Sequence, residues 1–148
     1  MKAPIRVNLF GRNGGRGWQG DPRVVEQGIV ESMEHIWSKC DLLICPSLAT
    51  GGVCVKLAEA AYNGMPVVAH THAARGLGLT DDPALLFLDK PCEWVELLNS
   101  AAARDLSTRS VSGEVAKRFA VESHKEALQK FFEEAILDSL AGGRGASR

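Results

Sequence analysis

Short, almost purely apolar runs alternate along this chain with segments of helical periodicity, and this alternation limits the possible folds more than any other feature. The clearest runs are residues 41–45, 66–69 and 84–88, and residues 5–10 and 24–25 are further strand candidates. Apolar runs without polar alternation are typical of parallel strands, because helices cover both faces of a parallel sheet. We therefore predict a doubly wound α/β domain, in which ligands bind at the carboxyl ends of the strands.

Four segments have the periodicity of amphipathic helices. They are residues 31–39, residues 53–63, a segment that begins at Pro91 and includes Ala101, and a long segment that begins near Gly113. Gly64 follows the second of these, where a left-handed C-cap is expected. Residues 70–83 are polar and predict a loop. We expect a break in the last segment near Ser123. Beyond it an apolar stripe continues along the helix, formed by Leu128, Phe131, Phe132, Ala135, Ile136 and Leu140.

The charge balance argues against partners that are bound through bulk electrostatics. The 148 residues include 17 Lys and Arg and 18 Asp and Glu, for a formal net charge of -1. Such a chain has no global attraction to nucleic acid or to an anionic membrane. Neither a signal-peptide segment nor an apolar run near the roughly 18 residues of a membrane span is present. We therefore expect a cytoplasmic protein with no transmembrane segment and no nucleic-acid partner.

The cysteines and histidines give no metal motif. Four cysteines occur without a C-x-x-C pair, at Cys40, Cys45, Cys54 and Cys92. Their neighbours are apolar, so we expect reduced, buried thiols that act as small hydrophobes rather than metal or redox groups. His70 and His72 lack a third ligand at a suitable spacing and are expected to be loop histidines. No metal and no cofactor are predicted.

The loop over residues 46–52 is the strongest candidate for a binding site. It follows an apolar run and ends in Gly51 and Gly52, directly before a predicted helix. Glycines let a ligand approach the backbone closely, and the N–H groups at a helix N-terminus favour an anion such as phosphate. Ser47 and Thr50 add hydroxyl groups to the same loop.

An acidic side chain lies further along the same predicted helix. Glu59 follows Gly52 by seven residues, about 10 Å along a helix axis. A carboxylate accepts hydrogen bonds from two adjacent hydroxyls, so the ribose of a nucleoside diphosphate fits this spacing. Lys56 lies one turn before Glu59, where it can pair with Glu59 or reach the phosphate. Lys56 and Glu59 also fit an everyday surface pair worth about 0.2–0.5 kcal/mol. An unrelated phosphate-binding α/β protein, which would bind its ligand without Glu59, is a further alternative.

Several motifs, in order and at the right spacing, resemble the C-terminal domain of group 1 glycosyltransferases of the GT-B fold. They are the Asp41-led strand with Pro46 and Ser47, Gly51-Gly52, Glu59-Ala60, Gly64, and Pro66-Val67-Val68-Ala69. Residues 73–77 and Lys56 resemble a subgroup of that family. The resemblance implies a three-layer Rossmann-like domain with a mostly parallel sheet and a long C-terminal helical segment.

The resemblance also implies a site for a nucleoside-diphosphate sugar. Its diphosphate would be bound by Gly51, Gly52, Ser47, Thr50, Lys56 and Arg12. Arg12 belongs to a short segment, Phe10-Gly11-Arg12, that resembles the family's Gly-rich loop. Glu59 would hold the ribose as the second Glu of the family's paired-Glu motif, whose first Glu is replaced by Gly51. The helix N–H groups and basic side chains would stabilise the leaving diphosphate, and no catalytic residue is identified.

The domain organisation expected from the resemblance is incomplete. Residues 1–140 would form the donor-binding domain without its first strand, and residues 141–148 would form a flexible tail. The family's N-terminal domain, which binds the acceptor, is expected to be absent from these residues. A hexosyl unit would pass to a glycan, lipid or small acceptor with an acceptor-binding domain or subunit as partner. A non-catalytic nucleotide-binding or interaction module is the alternative.

Overall fold

Strands and helices alternate along the chain in the computed structural model, which describes residues 5–12, 21–48, 53–79 and 81–142. The strands are β1 (Val7–Phe10), β2 (Val24–Gly28), β3 (Leu43–Cys45), β4 (Val67–Ala69) and β5 (Leu85–Phe87). The helices are α1 (Glu34–Trp37), α2 (Val55–Tyr62), α3 (Thr71–Ala74), α4 (Pro91–Leu98), α5 (Ala101–Ser107), α6 (Gly113–Lys117) and α7 (Glu122–Gly142). The predicted Rossmann-like α/β class and the long C-terminal helix are confirmed.

The strands are divided between two parallel sheets rather than joined in one. In the smaller sheet, β1 pairs with β2, and Val7 lies opposite Val24. In the larger sheet, β4 lies between β3 and β5, so that Val67 is opposite both Leu43 and Leu85. Among the described residues, β1 and β3 therefore each have an edge that pairs with no other strand.

The central strand β4 connects the two halves of the core. All three of its residues are 0% exposed. Val67 and Ala69 belong to one apolar cluster with Leu57 of α2, whereas Val68 belongs to a second cluster with Leu97 of α4. Successive strand residues point to opposite faces, so helices cover this sheet on both sides and the architecture has three layers.

The smaller sheet lies outside both clusters. The residues of β1 are half-buried, and no side chain of β1 or β2 is among the described members of either cluster. Ile5, just before β1, packs against the second cluster, and the Asn8 Nδ2 atom lies 4.0 Å from the Cys40 Sγ atom. This sheet is therefore peripheral to the core that surrounds β4.

Three local predictions were wrong in kind or extent. The expected loop over residues 70–83 contains α3 and a turn of 3-10 helix at Arg75–Leu77, because two small apolar residues, Ala73 and Ala74, are buried there. Helix α1 is shorter than the predicted segment 31–39. The helix that begins at Pro91 ends at Leu98, and Ser100 begins α5 by accepting a hydrogen bond from the Ala102 N–H at 3.2 Å.

The apolar stripe of α7 is present but faces solvent. Leu128, Phe131, Phe132 and Ile136 are between 52% and 63% exposed. The expected break lies slightly earlier than Ser123, between the end of α6 and the start of α7. The stripe follows helical periodicity as predicted, yet no described residue buries it.

Gly64 ends α2 with a backbone conformation that other residues adopt only with strain. Its φ is +72°, as the C-cap prediction requires, and its carbonyl accepts hydrogen bonds from the Ser110 hydroxyl and the Val111 N–H, both at 3.0 Å. A Cβ atom at this position would lie 2.9 Å from the Ser110 Oγ atom. Both the turn and the close approach therefore require glycine.

We expect Gly64→Ala to lower the free energy of unfolding by at least about 1 kcal/mol, because a left-handed backbone is strained in alanine. Urea denaturation measures this loss. Gly113→Ala is the matched control, since its φ is ordinary and no heavy atom lies within 4 Å of the added Cβ. Equal stability of the two variants would contradict the assignment.

The buried carboxylate of Asp82 joins the segment before β5 to the start of α6. Asp82 Oδ1 accepts from the Ala84 N–H at 2.9 Å, and Oδ2 accepts from the Ser112 N–H at 2.8 Å. Burial opposes ionisation, but the hydrogen bonds from Ser112 and Ala84 outweigh it, so the pKa of Asp82 lies below its ordinary value. The ionised carboxylate therefore stabilises the fold.

Asp82→Asn should lower the free energy of unfolding by about 1–3 kcal/mol at neutral pH, because an amide NH₂ cannot accept one of these hydrogen bonds. The folded-state pKa is depressed, so the contribution of Asp82 is present above the unfolded-state pKa and is lost as the pH falls through the folded-state value. The difference between wild type and variant in urea should thus shrink in acid. Asp81→Asn, at an exposed neighbour, is the control. A difference that does not depend on pH would count against this role.

Candidate functional site

The predicted donor-binding residues lie on and around the connection between β3 and α2. Ser47 is half-buried just after β3 and takes part in a hydrogen bond or related contact. Lys56 and Glu59 lie on α2. Thr50, Gly51 and Gly52 lie outside the described residues, so their predicted contacts with phosphate stay predictions.

Helix α2 presents Lys56 and Glu59 beside its buried face. Leu57, Ala60 and Ala61 are 0% exposed against the core, whereas Lys56 is exposed and Glu59 is half-buried. The two are not joined by an ion pair, and no described residue forms a hydrogen bond with the Glu59 carboxylate. A half-buried carboxylate of this kind has its acceptor sites available for hydroxyl donors.

Three strand ends meet at one edge of the larger sheet. Because β3, β4 and β5 run parallel, their carboxyl ends lie together. The His70 N–H, just after β4, donates to the Cys45 carbonyl at 3.0 Å, and the Leu88 N–H, just after β5, donates to the Ala69 carbonyl at 3.0 Å. Ser47, His70 and Asp89 follow these three strands, at the edge where doubly wound folds bind their ligands.

His70 is a residue of this edge that the sequence prediction assigned to a loop. Its Nδ1 atom accepts from the His72 N–H at 3.1 Å and caps α3, while its Nε2 atom lies 3.6 Å from Asp89 Oδ1. These partners assign the ring proton to Nε2, which then faces the carboxylate. The sequence position alone could have identified this pair, because His70 and Asp89 each come directly after a predicted strand.

Arg12 lies at the end of the smaller sheet, whereas the other described candidates lie on the connection between β3 and α2. It is exposed after Gly11, whose N–H donates to the Gly28 carbonyl at 2.7 Å at the end of the β1–β2 pair. No hydrogen bond or ion pair within the described residues joins Arg12 to Ser47, Lys56 or Glu59. The structure therefore brings Ser47, Lys56 and Glu59 onto one connection and leaves Arg12 outside it.

A surface cleft of about 530 Å³ lies elsewhere, between the 3-10 turn and the α6–α7 junction. Its lining carries more basic than acidic side chains and consists of Gly76, Leu77, Glu114, Lys117, Arg118, Phe119, Ser123 and His124. The Arg118 guanidinium is already engaged with the Gly78 carbonyl at 2.9 Å. Of the predicted donor-binding residues that the structure describes, Ser47, Lys56, Glu59 and Arg12 do not line this cleft.

The described part of the chain has neither a cluster of metal-ligating side chains nor a helix that could span a membrane. No group of three or more His, Cys, Asp or Glu side chains there is arranged to hold a metal ion. No helix there is both long enough and apolar enough to cross a bilayer.

We expect His70→Ala to lower the free energy of unfolding by about 1 kcal/mol, because the first turn of α3 loses its side-chain cap. Thermal or urea denaturation measures this change. His72→Ala is the control, since His72 is exposed and contributes only its backbone N–H to the cap. A loss of the same size in the control would show that the ring of His70 is not the cap.

Comparison with known families links these observations. A family model described as "Glycosyl transferases group 1" matches residues 6–102, about two thirds of the chain. The match begins just before β1 and includes all five strands, α2 and the edge that carries Ser47, His70 and Asp89. Comparisons with curated proteins and with solved structures gave no significant match.

Proposed function

Because the chain belongs to the group 1 glycosyltransferases, we propose that it binds a nucleoside-diphosphate sugar and serves in the transfer of its hexosyl unit. The acceptor would be a glycan, a lipid or a small molecule. The observation that carries the proposal is Glu59, a half-buried carboxylate on α2 with no hydrogen-bond partner among the described residues. It lies on the helix that follows the carboxyl end of β3, where doubly wound folds bind nucleotides.

The diphosphate would be held at the N-terminus of α2. Backbone N–H groups at a helix start and the positive end of the helix dipole favour phosphate. Ser47, Thr50, Gly51 and Gly52 would contribute from the preceding loop, and Lys56 lies in the first turn of the helix. In this arrangement Glu59 accepts hydrogen bonds from the two ribose hydroxyls, one helical turn beyond Lys56.

Catalysis would be electrostatic. As the glycosidic bond breaks, negative charge accumulates on the departing diphosphate, and pre-oriented N–H groups and cations stabilise that charge. Lys56 and the start of α2 are the nearest such groups, and Arg12 would add a cation only if the smaller sheet approaches the donor. No metal and no cofactor are part of this proposal.

The division of the sheet supports the proposed domain organisation. A doubly wound sheet places its first strand at the centre, between the second and the fourth. If β1 and β2 are the second and third strands, and β3 to β5 are the fourth to sixth, the first strand belongs between the two observed sheets. We therefore propose that residues 1–140 supply the second to sixth strands of a donor-binding domain that works with an acceptor-binding domain or subunit.

A non-catalytic interaction module is the second candidate. The exposed apolar stripe of α7 favours it, since such a surface is typical of a face that contacts another protein. Gly51, in place of the family's first Glu, also favours it, because a contact with the transferred sugar would be lost. A cytoplasmic location and the absence of a nucleic-acid partner stay predictions from the sequence.

Calorimetric titration with UDP, GDP and ADP tests the donor site. We expect one of these to bind, and Glu59→Ala to weaken its binding by about tenfold or more, because hydrogen bonds to a charged group are lost. Glu96→Ala, at an exposed position of α4, is the matched control and should leave the affinity unchanged.

The outcomes separate the candidates. If no nucleoside diphosphate binds at millimolar concentration, the donor-site proposal is wrong for this chain. If a nucleotide binds with equal affinity to the wild type and to Glu59→Ala, the chain is instead a phosphate-binding protein that does not hold ribose through Glu59.

A further inference from the structure

Two of the four cysteines face each other beside the candidate donor site. The expectation that all four are buried was wrong: Cys45 is buried, Cys40 and Cys54 are intermediate, and Cys92 is exposed. The Sγ atoms of Cys45 and Cys54 are 3.9 Å apart, and both thiols are free. This pair therefore needs only a small movement to be joined.

The two sulfur atoms belong to the two elements that flank the donor loop. Cys45 ends β3, and its carbonyl accepts the His70 N–H at 3.0 Å. Cys54 is the N-cap residue directly before α2, and its carbonyl accepts the Leu57 N–H at 3.0 Å. Residues 46–53 lie between them and include all the loop positions proposed to bind phosphate.

The thiol of Cys45 is also in contact with that loop. Burial raises the pKa of the Cys45 thiol, and the Ser47 backbone, two residues further along the chain, acts in the opposite direction. A change in the position or bonding of this sulfur therefore changes the surroundings of Ser47, near the start of the loop. The state of the thiol and the geometry of the candidate site are linked through Ser47.

We propose that Cys45 and Cys54 form a reversible disulfide in exchange with a low-molecular-mass disulfide, and that the crosslink weakens the binding of the nucleoside-diphosphate donor. The second half of this proposal rests on the proposed function. The first half concerns only the two thiols and stands by itself.

The exchange proceeds in two balanced steps. The more exposed thiol, Cys54, loses its proton to solvent and attacks a reagent disulfide such as oxidised glutathione; one reagent thiolate leaves and takes up a proton. Cys45 then loses its proton and attacks the Cys54 sulfur, which expels the second reagent thiolate. Two protein thiols are oxidised, and one reagent disulfide is reduced to two thiols.

Burial decides the order of the two attacks. It raises the pKa of the Cys45 thiol, so this sulfur is the poorer first nucleophile. Once the mixed disulfide is on Cys54, the two sulfur atoms are neighbours and the second attack is intramolecular. Proximity then compensates for the lower thiolate fraction of Cys45.

Closing the bond changes the geometry on which phosphate binding depends. A disulfide holds its sulfur atoms about 2.05 Å apart, so the pair must close from 3.9 Å. We expect this closure to shift the Cys45 sulfur relative to the Ser47 backbone and to draw the start of α2 toward the end of β3. Affinity depends on binding groups that are held in place before the ligand arrives, so displacing them weakens the binding of phosphate.

The crosslink is tested in the full chain with Cys92→Ser, which removes the exposed thiol. The reduced protein is incubated with oxidised glutathione, alkylated in denaturant and analysed by mass spectrometry. We expect a loss of two hydrogen atoms and a peptide pair that joins Cys45 to Cys54, reversed by dithiothreitol. Adding Cys54→Ser should abolish the crosslink, and adding Cys40→Ser should leave it intact. Absence of the Cys45–Cys54 peptide pair under these conditions overturns the proposal.

The effect on binding is measured by titrating the reduced and the oxidised protein with UDP, GDP and ADP. We expect the oxidised form to bind at least about threefold more weakly, and the Cys54→Ser variant to bind equally well under both conditions. A crosslink that leaves the nucleotide affinity unchanged overturns the proposal that the disulfide weakens binding. If the reduced protein binds no nucleotide, the donor-site proposal is wrong, and so is the proposal that the crosslink weakens donor binding. The crosslink itself is then tested by mass spectrometry alone.

Discussion

Burial of β4 between two other strands and two layers of helix is the constraint on which the rest of the structure depends. Val67 and Ala69 pack on one side and Val68 on the other, so a three-residue strand joins both apolar clusters. Its hydrogen bonds to β3 and β5 set the register of the sheet. The same pairing brings Ser47, His70 and Asp89 to one edge, so the position of the candidate site follows from the burial of this strand.

Much of this framework could be predicted from the sequence, because a strand buried on both faces requires an apolar run that few other structures tolerate. The positions of β3, β4, β5 and α2 followed from such runs and from Gly64, although each element is one to three residues shorter than predicted. What could not be predicted depends on contacts between distant residues. Helix α3 begins where it does because the His70 ring accepts a hydrogen bond, and polar composition alone suggested a loop. The division into two sheets is likewise a matter of strand pairing, which no local pattern encodes.

In the candidate site, too, local patterns predicted some residues, whereas others come together only through contacts between distant parts of the chain. Ser47, Lys56 and Glu59 were found from spacing, since the residues that flank a strand–loop–helix connection are neighbours in sequence and in space. The approach of His70 to Asp89 and of Cys45 to Cys54 requires the sheet register and the packing of α2 on β3. The predicted role of Arg12 came from the family resemblance alone. It required β1 to lie beside β3, but β1 pairs only with β2 among the described strands.

Helix α7 has a consequence for how the molecule unfolds. Its described side chains are all exposed, so almost none of its stability comes from packing on the core. A helix held chiefly by its own hydrogen bonds and by local pairs such as Lys130 with Glu134 is marginal in water. Its amide protons should therefore exchange with solvent far faster than those of β4, through local opening that leaves the sheet intact. The chain would then consist of a cooperative unit around β4 and a terminal helix that melts on its own.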